Sequence, residues 1–235
     1  MKLILFGLIA LSQNLLYNVK TGVDTRPQID SLANIMPAML SDELTSEDEK
    51  LTFWLNVYNA FVQIQLKENT GLYTKRSRFF KSKSIVIAGQ KLSLDDIEHG
   101  ILRHSKTKLS LGYFNKWFLG KFEKTHRLNT VDYRIHFALN CGAASCPPIT
   151  FYKPEAIGSQ LDLATRNYLA QNVVVDTFKN TVTVPKLMLW FKADFGGKKG
   201  VVKILKGQGV LSANAKPKIK YKDYYWGLEL NKYAE

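Results

Sequence analysis

Three observations predict an α+β fold that is mainly helical with a small antiparallel sheet. Apolar residues recur with helical spacing through the amino-terminal half, a nearly all-apolar run extends from Leu51 to Ile64, and short β-branched segments later flank turn residues. With 235 residues, 46% hydrophobic and 12% aromatic, the chain can build one sizeable core, so a single domain over residues 1–235 is expected. No apolar run approaches the roughly eighteen residues that span a bilayer.

The start, Met1-Lys2 followed by Leu3 to Leu11, has the look of a short signal peptide. The recurrence of Leu8, Leu11, Leu15 and Val19 favours instead an amphipathic helix ending near Gly22. A second helix is expected over Ile29 to Leu40. Ser46 followed by Glu49 has capping-box spacing and opens the longest helix, about Glu47 to Lys67, whose apolar circumference predicts burial. Ser84–Ala88 and Lys91–Ser93 flank Gly89-Gln90 as a hairpin, and Ser93 then caps a helix from Leu94 to about His104.

Tyr133 to Cys141 alternates and reads as the best strand, with Arg134, His136, Ala138 and Asn140 on one face and Tyr133, Ile135, Phe137, Leu139 and Cys141 on the other. Pro154 starts a helix to about Gln171. A second hairpin pairs Val173–Asp176 with Thr181–Val184, short helices follow at Lys186–Phe191 and Lys199–Lys206, and Ile219–Leu230 is expected to be extended.

The formal charge is +13, and ten lysines with one acid, Asp194, lie between Lys186 and Lys222. Such a lysine-rich C-terminal third raises the local concentration of anionic partners, whether nucleic acid, lipid headgroups or an acidic substrate. No compact cluster or nucleic-acid motif accompanies it, so a solvated surface is the simpler reading. Two cysteines exclude a disulfide-rich secreted scaffold; the cytoplasm is favoured over export.

Within the buried helix, Asn56, Asn59 and Gln63 form a polar stripe that either ties down a neighbouring segment or lines a pocket floor. Glu98 lies between Leu94, Ile97, Ile101 and Leu102, which makes it either a poised acid/base or the anionic half of a buried pair; His99 sits on the flank. Cys141 points coreward as an inert thiol, whereas Cys146 lies in a Gly-Ala-Ala-Ser loop that a substrate can approach. A thiol nucleophile needs a base and an orienting group, and Cys146, His136 and Glu98 are the candidates. A Cys141–Cys146 disulfide forms only if that loop folds back within about 7 Å. No zinc spacing is present and no nucleotide, dinucleotide, zincin or α/β-hydrolase motif occurs, so no metal or cofactor is expected.

Three segments together resemble the domain of unknown function 547 family: Phe53-Trp54-Leu55-Asn56-Val57-Tyr58-Asn59-Ala60, Ile97-Glu98-His99-Gly100-Ile101-Leu102-Arg103, and Arg134 through the Asn140-Cys141-Gly142-Ala143-Ala144-Ser145-Cys146-Pro147-Pro148 stretch. The resemblance runs from about Asp48 to Phe195, with a basic extension at about 196–235 whose Tyr225-Trp226-Gly227-Leu228 is similar to the tail of bacterial members. It implies no agreed reaction, but it marks Asn56, Asn59, Glu98, His99, Arg134, His136, Cys141 and Cys146. A buried helix followed by a small sheet carrying a histidine is also similar to papain-like and transglutaminase-like folds, although asparagines stand where those enzymes place cysteine.

Two functions compete. One is a thiol-dependent hydrolase or acyl transferase with Cys146 as nucleophile, His136 as base, Glu98 as orienter and Asn59 assisting the oxyanion, with Asn56, His99, Arg134, Asn140 and Cys141 shaping the binding site. The other is a non-catalytic module in which these residues form a buried network and the lysine-rich third recruits an anionic partner.

Overall fold

The computed structural model describes residues 7–108 and 110–234. The part of the signal-peptide reading that falls on residues 1–6 lies outside them. Helix α1 (Leu8–Thr21) ends where expected, because Gly22 adopts φ 74° and its N–H bonds Asn18 O. The second expected helix is two: α2 (Arg26–Asn34) and α3 (Pro37–Glu43), separated because Met36 precedes a proline and is held extended. Helix α4 (Glu47–Glu68) opens with the expected box, Glu49 N donating to Ser46 Oγ at 3.1 Å and Ser46 N to Glu49 Oε2 at 2.8 Å. Its residues from Leu51 to Ile64 are all buried.

A 3₁₀ turn (Thr70–Lys75) leads into α5 (Arg76–Lys81), and the first hairpin forms as expected from β1 (Ile85–Ile87) and β2 (Gln90–Leu92). The helix expected after it is instead wound mainly as a π-helix over Asp96–Leu102, with Arg103 N bonding Glu98 O and Ser105 N bonding Gly100 O. Such wide turns are rare and often mark functional positions. After a loop come α6 (Lys121–His126), α7 (Ile157–Asn172) behind the short 3₁₀ turn Pro154–Ala156, and the second hairpin, β3 (Val174–Asp176) with β4 (Thr181–Pro185). Helices α8 (Leu187–Trp190) and α9 (Gly197–Gly207) precede β5 (Lys218–Lys222), which pairs parallel to β4. The fold is therefore α+β with one antiparallel hairpin and one mixed three-stranded sheet in the order β3-β4-β5. No described helix is long and apolar enough to cross a membrane.

The segment expected to be the best strand is a 3₁₀ helix, Tyr133–Phe137. Asp132 accepts from Arg134 N at 2.9 Å and turns the backbone at its start. Residues Ile135 to Asn140 are all buried, so the alternation in the sequence has no solvent face to describe, and His136 does not share a strand face with Arg134 and Asn140.

What replaces a neighbouring strand is the amide stripe of α4. Asn59 donates to Ala138 O at 3.0 Å and accepts from Asn140 N at 2.9 Å, pairing as a second strand would. Asn56 does the same for Tyr152, donating to its O and accepting from its N, both at 3.1 Å. Gln63 Oε1 accepts from Asn231 N at 2.9 Å and so holds the C-terminal tail. That tail lies along the 142–149 loop, with Ala144 N bonding Gly227 O, Glu229 N bonding Gly142 O and Ile149 N bonding Lys232 O, each at 2.8 Å. The end of the basic extension is thus stitched into the body of the fold.

Asn59 and its partners have no access to water, so truncation leaves a buried N–H and a buried C=O unpaired. Asn59→Ala is expected to lower unfolding stability by about 2–6 kcal/mol, summing two such groups, as read from the denaturant midpoint. An unchanged midpoint would show that water replaces the amide.

Candidate functional site

A cleft of about 400 Å³ opens between the buried side of α4, the π-helix, α8 and the C-terminal tail. Phe80, Leu139, Leu187, Trp190, Phe191 and Trp226 give it mostly apolar walls, and Tyr58, Asp95, Glu98, His99, His136 and Tyr224 bring polar groups. This is the composition expected of a small-molecule site.

The polar groups are organised by one buried cation. Arg103 is fully buried and forks onto Asp194, Nε to Oδ2 at 2.6 Å and one amino group to Oδ1 at 3.2 Å. Its other amino group donates to His99 Nδ1 at 2.9 Å, and its Cζ lies 4.5 Å from the Phe191 ring centroid. Four residues separate His99 from Arg103, so the two fall on one side of the wide π-turn. Because guanidinium nitrogens only donate, His99 Nδ1 must be the unprotonated nitrogen of that ring. It therefore cannot donate to Glu98 Oε1, 3.6 Å away. Burial, together with the Arg103 charge, lowers the His99 pKa to about 3, so the imidazole is neutral at pH 7.

On the other side of Asp194, His136 Nε2 lies 2.8 Å from Oδ2. The ionised carboxylate accepts this bond, which places the proton on Nε2 and the lone pair on Nδ1, an atom without a protein partner among the described residues. The ring is also stacked on Phe191, with centroids 3.9 Å apart and planes at 13°. Burial lowers the His136 pKa below 6.5, outweighing the bond to Asp194, and the Arg103 charge lowers it further. Burial would raise the Asp194 carboxyl, but hydrogen bonds from His136 and Arg103 together hold it below its ordinary value. Gly112, at φ 85°, packs against this pair so closely that a Cβ there would collide with the Asp194 carboxylate.

Glu98 is in the cleft wall but does not orient His136; its Oε2 accepts from Tyr58 OH at 3.2 Å. Burial and the neighbouring carboxylates push the Tyr58 phenol well above its ordinary pKa, so it stays a donor. It is Asp194, not Glu98, that bonds the His136 ring.

The geometry bears most directly on the two cysteines. Cys141 and Cys146 form a disulfide, their Cα atoms 6.1 Å apart, and no free cysteine is present among the described residues. Cys146 is buried, accepts from Cys141 N at 3.0 Å and does not line the cleft, whereas Cys141 does. The exposures expected of the two sulfurs are thus exchanged, because the loop closes over Cys146 and bends Cys141 outward. Tyr224 OH caps both sulfurs, at 3.2 Å from Cys141 and 3.1 Å from Cys146.

Other expected site residues are engaged in building the walls. Asn56 and Asn59 do not line the cleft, and the Asn59 amide, engaged with backbone, has no freedom to meet an oxyanion. Asn140 shapes the disulfide loop, donating to Pro147 O at 2.8 Å and accepting from Gly142 N at 2.9 Å. Arg134 is turned away, forked on Asp132 and bonded to Asp162 and Gly158 O. No group of three or more His, Cys, Asp or Glu among the described residues has the arrangement of a metal site.

Asp194, Arg103, Tyr58 and Tyr224 were not among the expected site residues. The signal for Asp194 was present: a lone acid in a lysine-rich segment, set between Phe191 and Phe195.

Removing one member of a buried ion pair leaves the other uncompensated. Arg103→Met is expected to cost about 3–5 kcal/mol of stability and Arg103→Met with Asp194→Asn clearly less, as read by denaturant unfolding. Equal losses would show that the charges are not coupled.

The neutral His99 also makes stability pH-dependent. Between pH 6.5 and about 3 the unfolded chain binds a proton at this position that the native chain does not, so stability falls as pH falls through that window. The slope is at most about 1.4 kcal/mol per pH unit for one group. His126, lowered to about 4 by burial, adds to the same trend. His99→Asn is expected to flatten the loss between pH 6.5 and 4.5, measured by unfolding at several pH values; an unchanged slope would remove His99 as a cause.

Residues 41–169, more than half of the chain, match the family model described as "Protein of unknown function, DUF547". No curated protein and no solved structure matches the chain. Asp194, Trp190, Phe191, Tyr224 and Trp226 all lie beyond the matched stretch, so the cleft is completed by residues outside it.

Proposed function

The chain belongs to the DUF547 family, whose description assigns no reaction, and on that premise we propose from the cleft itself that it is a hydrolase or acyl transferase with His136 as general base and Asp194 as its orienting partner. The observation that carries the reading is the 2.8 Å His136 Nε2–Asp194 Oδ2 bond in the wall of an apolar cleft. A carboxylate fixes the tautomer, the lone pair is left on Nδ1, and the imidazolium that forms during reaction is stabilised by the carboxylate.

With the Cys141–Cys146 bond intact neither sulfur is a thiolate, so the nucleophile is water or an acceptor hydroxyl. Its oxygen attacks the acyl carbon while its proton passes to His136 Nδ1. The bond to the leaving group then breaks, and the leaving atom takes that proton back from the imidazolium. The mostly apolar walls favour an acyl group with an apolar body. The thiol-dependent route requires prior reduction of the disulfide by an external dithiol, which supplies two electrons and two protons. The similarity to papain-like and transglutaminase-like folds counted on a histidine carried by the sheet, and His136 lies on a 3₁₀ helix instead, so it lends the proposal no support.

A non-catalytic module for an anionic partner is favoured by one different observation: Lys218, Lys220 and Lys222 project together from the exposed face of β5. That reading uses the lysine-rich third and leaves the cleft without a chemical role.

A panel of aliphatic p-nitrophenyl esters and thioesters separates these readings. Turnover is expected without dithiothreitol and after iodoacetamide treatment, with kcat/KM falling about 10²–10⁴-fold in His136→Gln. Because His136 must be unprotonated and its pKa is lowered, kcat/KM is expected to rise with pH through a value below 6.5 and then level off. Turnover that appears only after reduction and is lost on alkylation would replace the oxygen nucleophile with a thiol. Wild-type protein inert under both conditions, or a pH limb centred above 7, would sink the proposed base.

A further inference from the structure

Between Tyr113 and Phe118 four aromatic side chains face solvent. Trp117 is 91% exposed, Phe118 94% and Phe114 69%, and Tyr113 is also exposed. Four exposed aromatics within six residues of sequence exceed the singly scattered apolar residues that are ordinary on a surface, and such concentrations mark interaction sites.

The loop bearing them is built rather than loose. Thr107 N bonds Phe114 O at 2.9 Å, Lys116 N bonds Ser105 O at 2.7 Å, and Ser110 Oγ accepts from Phe114 N at 3.2 Å. Ala193 N bonds Leu111 O at 2.9 Å, which fastens the loop beside Asp194, and Gly112 allows that close approach.

The charge beside the aromatics is net positive, although Lys108 is paired with Asp95 at 2.7 Å. From Ser105 to Thr125 there are five lysines and one acid, Glu123, which is paired with Lys116 at 3.1 Å. Lys121 and Lys124 are exposed and have no acidic partner among the described residues. Aromatic side chains enter the headgroup boundary of a bilayer, and lysines beside them meet anionic headgroups.

We propose that the Tyr113–Phe118 aromatic loop is a docking surface for anionic membranes, with Trp117 and Phe118 inserting and Lys121 and Lys124 contacting headgroups. The same loop contributes Lys108 and Leu111 to the cleft wall, so docking sets the cleft beside the bilayer surface. The inference stands on the exposed loop and not on the reaction proposed for the cleft.

The test is co-sedimentation of the full chain with vesicles of phosphatidylcholine alone and of phosphatidylcholine containing about one-third phosphatidylglycerol. Binding is expected to the anionic vesicles, with at least about a tenfold weaker partition for Trp117→Ala/Phe118→Ala. Lys121→Glu/Lys124→Glu is expected to lose the preference for anionic over neutral vesicles. Since these side chains are exposed, thermal unfolding should be unchanged in both variants, which separates lost docking from lost folding. The proposal is overturned if wild-type protein ignores both vesicles, or if the aromatic variant binds as wild type does. It is equally overturned if that variant instead abolishes a concentration-dependent dimer in sedimentation velocity, which would make the patch a protein interface.

Discussion

The main core of this fold depends on the side-chain amides of α4. A helix satisfies its own backbone and ordinarily offers nothing to a neighbouring non-helical chain. Here Asn56 and Asn59 each present one donor and one acceptor to a backbone segment, and Gln63 presents an acceptor to a third. The buried stretches at Ala138–Asn140 and Tyr152 would otherwise carry unpaired peptide groups in an apolar core, at about 1–3 kcal/mol each. Helical packing and irregular backbone can therefore coexist in one interior.

The second constraint is electrostatic and couples parts of the chain far apart in sequence. Arg103 and Asp194, separated by 91 residues, form a pair with almost no solvent contact, and each has a histidine on its far side. A buried pair of this kind contributes little net stability compared with an apolar replacement, yet it is costly to break. Its contribution here is positional: it places His136 against Phe191 with a defined tautomer, and it ties the π-helix to the segment after α8. The exposed aromatic loop is fastened at the same point through Leu111 and Gly112.

Much of the local structure was legible along the chain. The capping box of α4, the αL glycine ending α1, and both hairpins follow from short-range chemistry that acts in the same way in any context. The breaks in that legibility have specific causes. Pro37 divided one expected helix, a rule readable in sequence. The Tyr133–Cys141 alternation described no strand, because complete burial makes a two-residue period uninformative and the Asp132 turn with the Asn59 amide took the place of strand pairing.

For the candidate site, the sequence by itself determined the inventory: Glu98, His99, His136, the two cysteines and the amide stripe, together with the apolar helix that would bury them. Which of these groups meet was decided only by tertiary structure. Partner choice among buried charges depends on distances between segments that no local spacing encodes, so Asp194 rather than Glu98 reached His136. The four-residue loop between them brought the sulfurs to each other rather than one of them to an imidazole. Local sequence sets what each residue can donate or accept; the packing of distant segments sets which partner is close enough to matter.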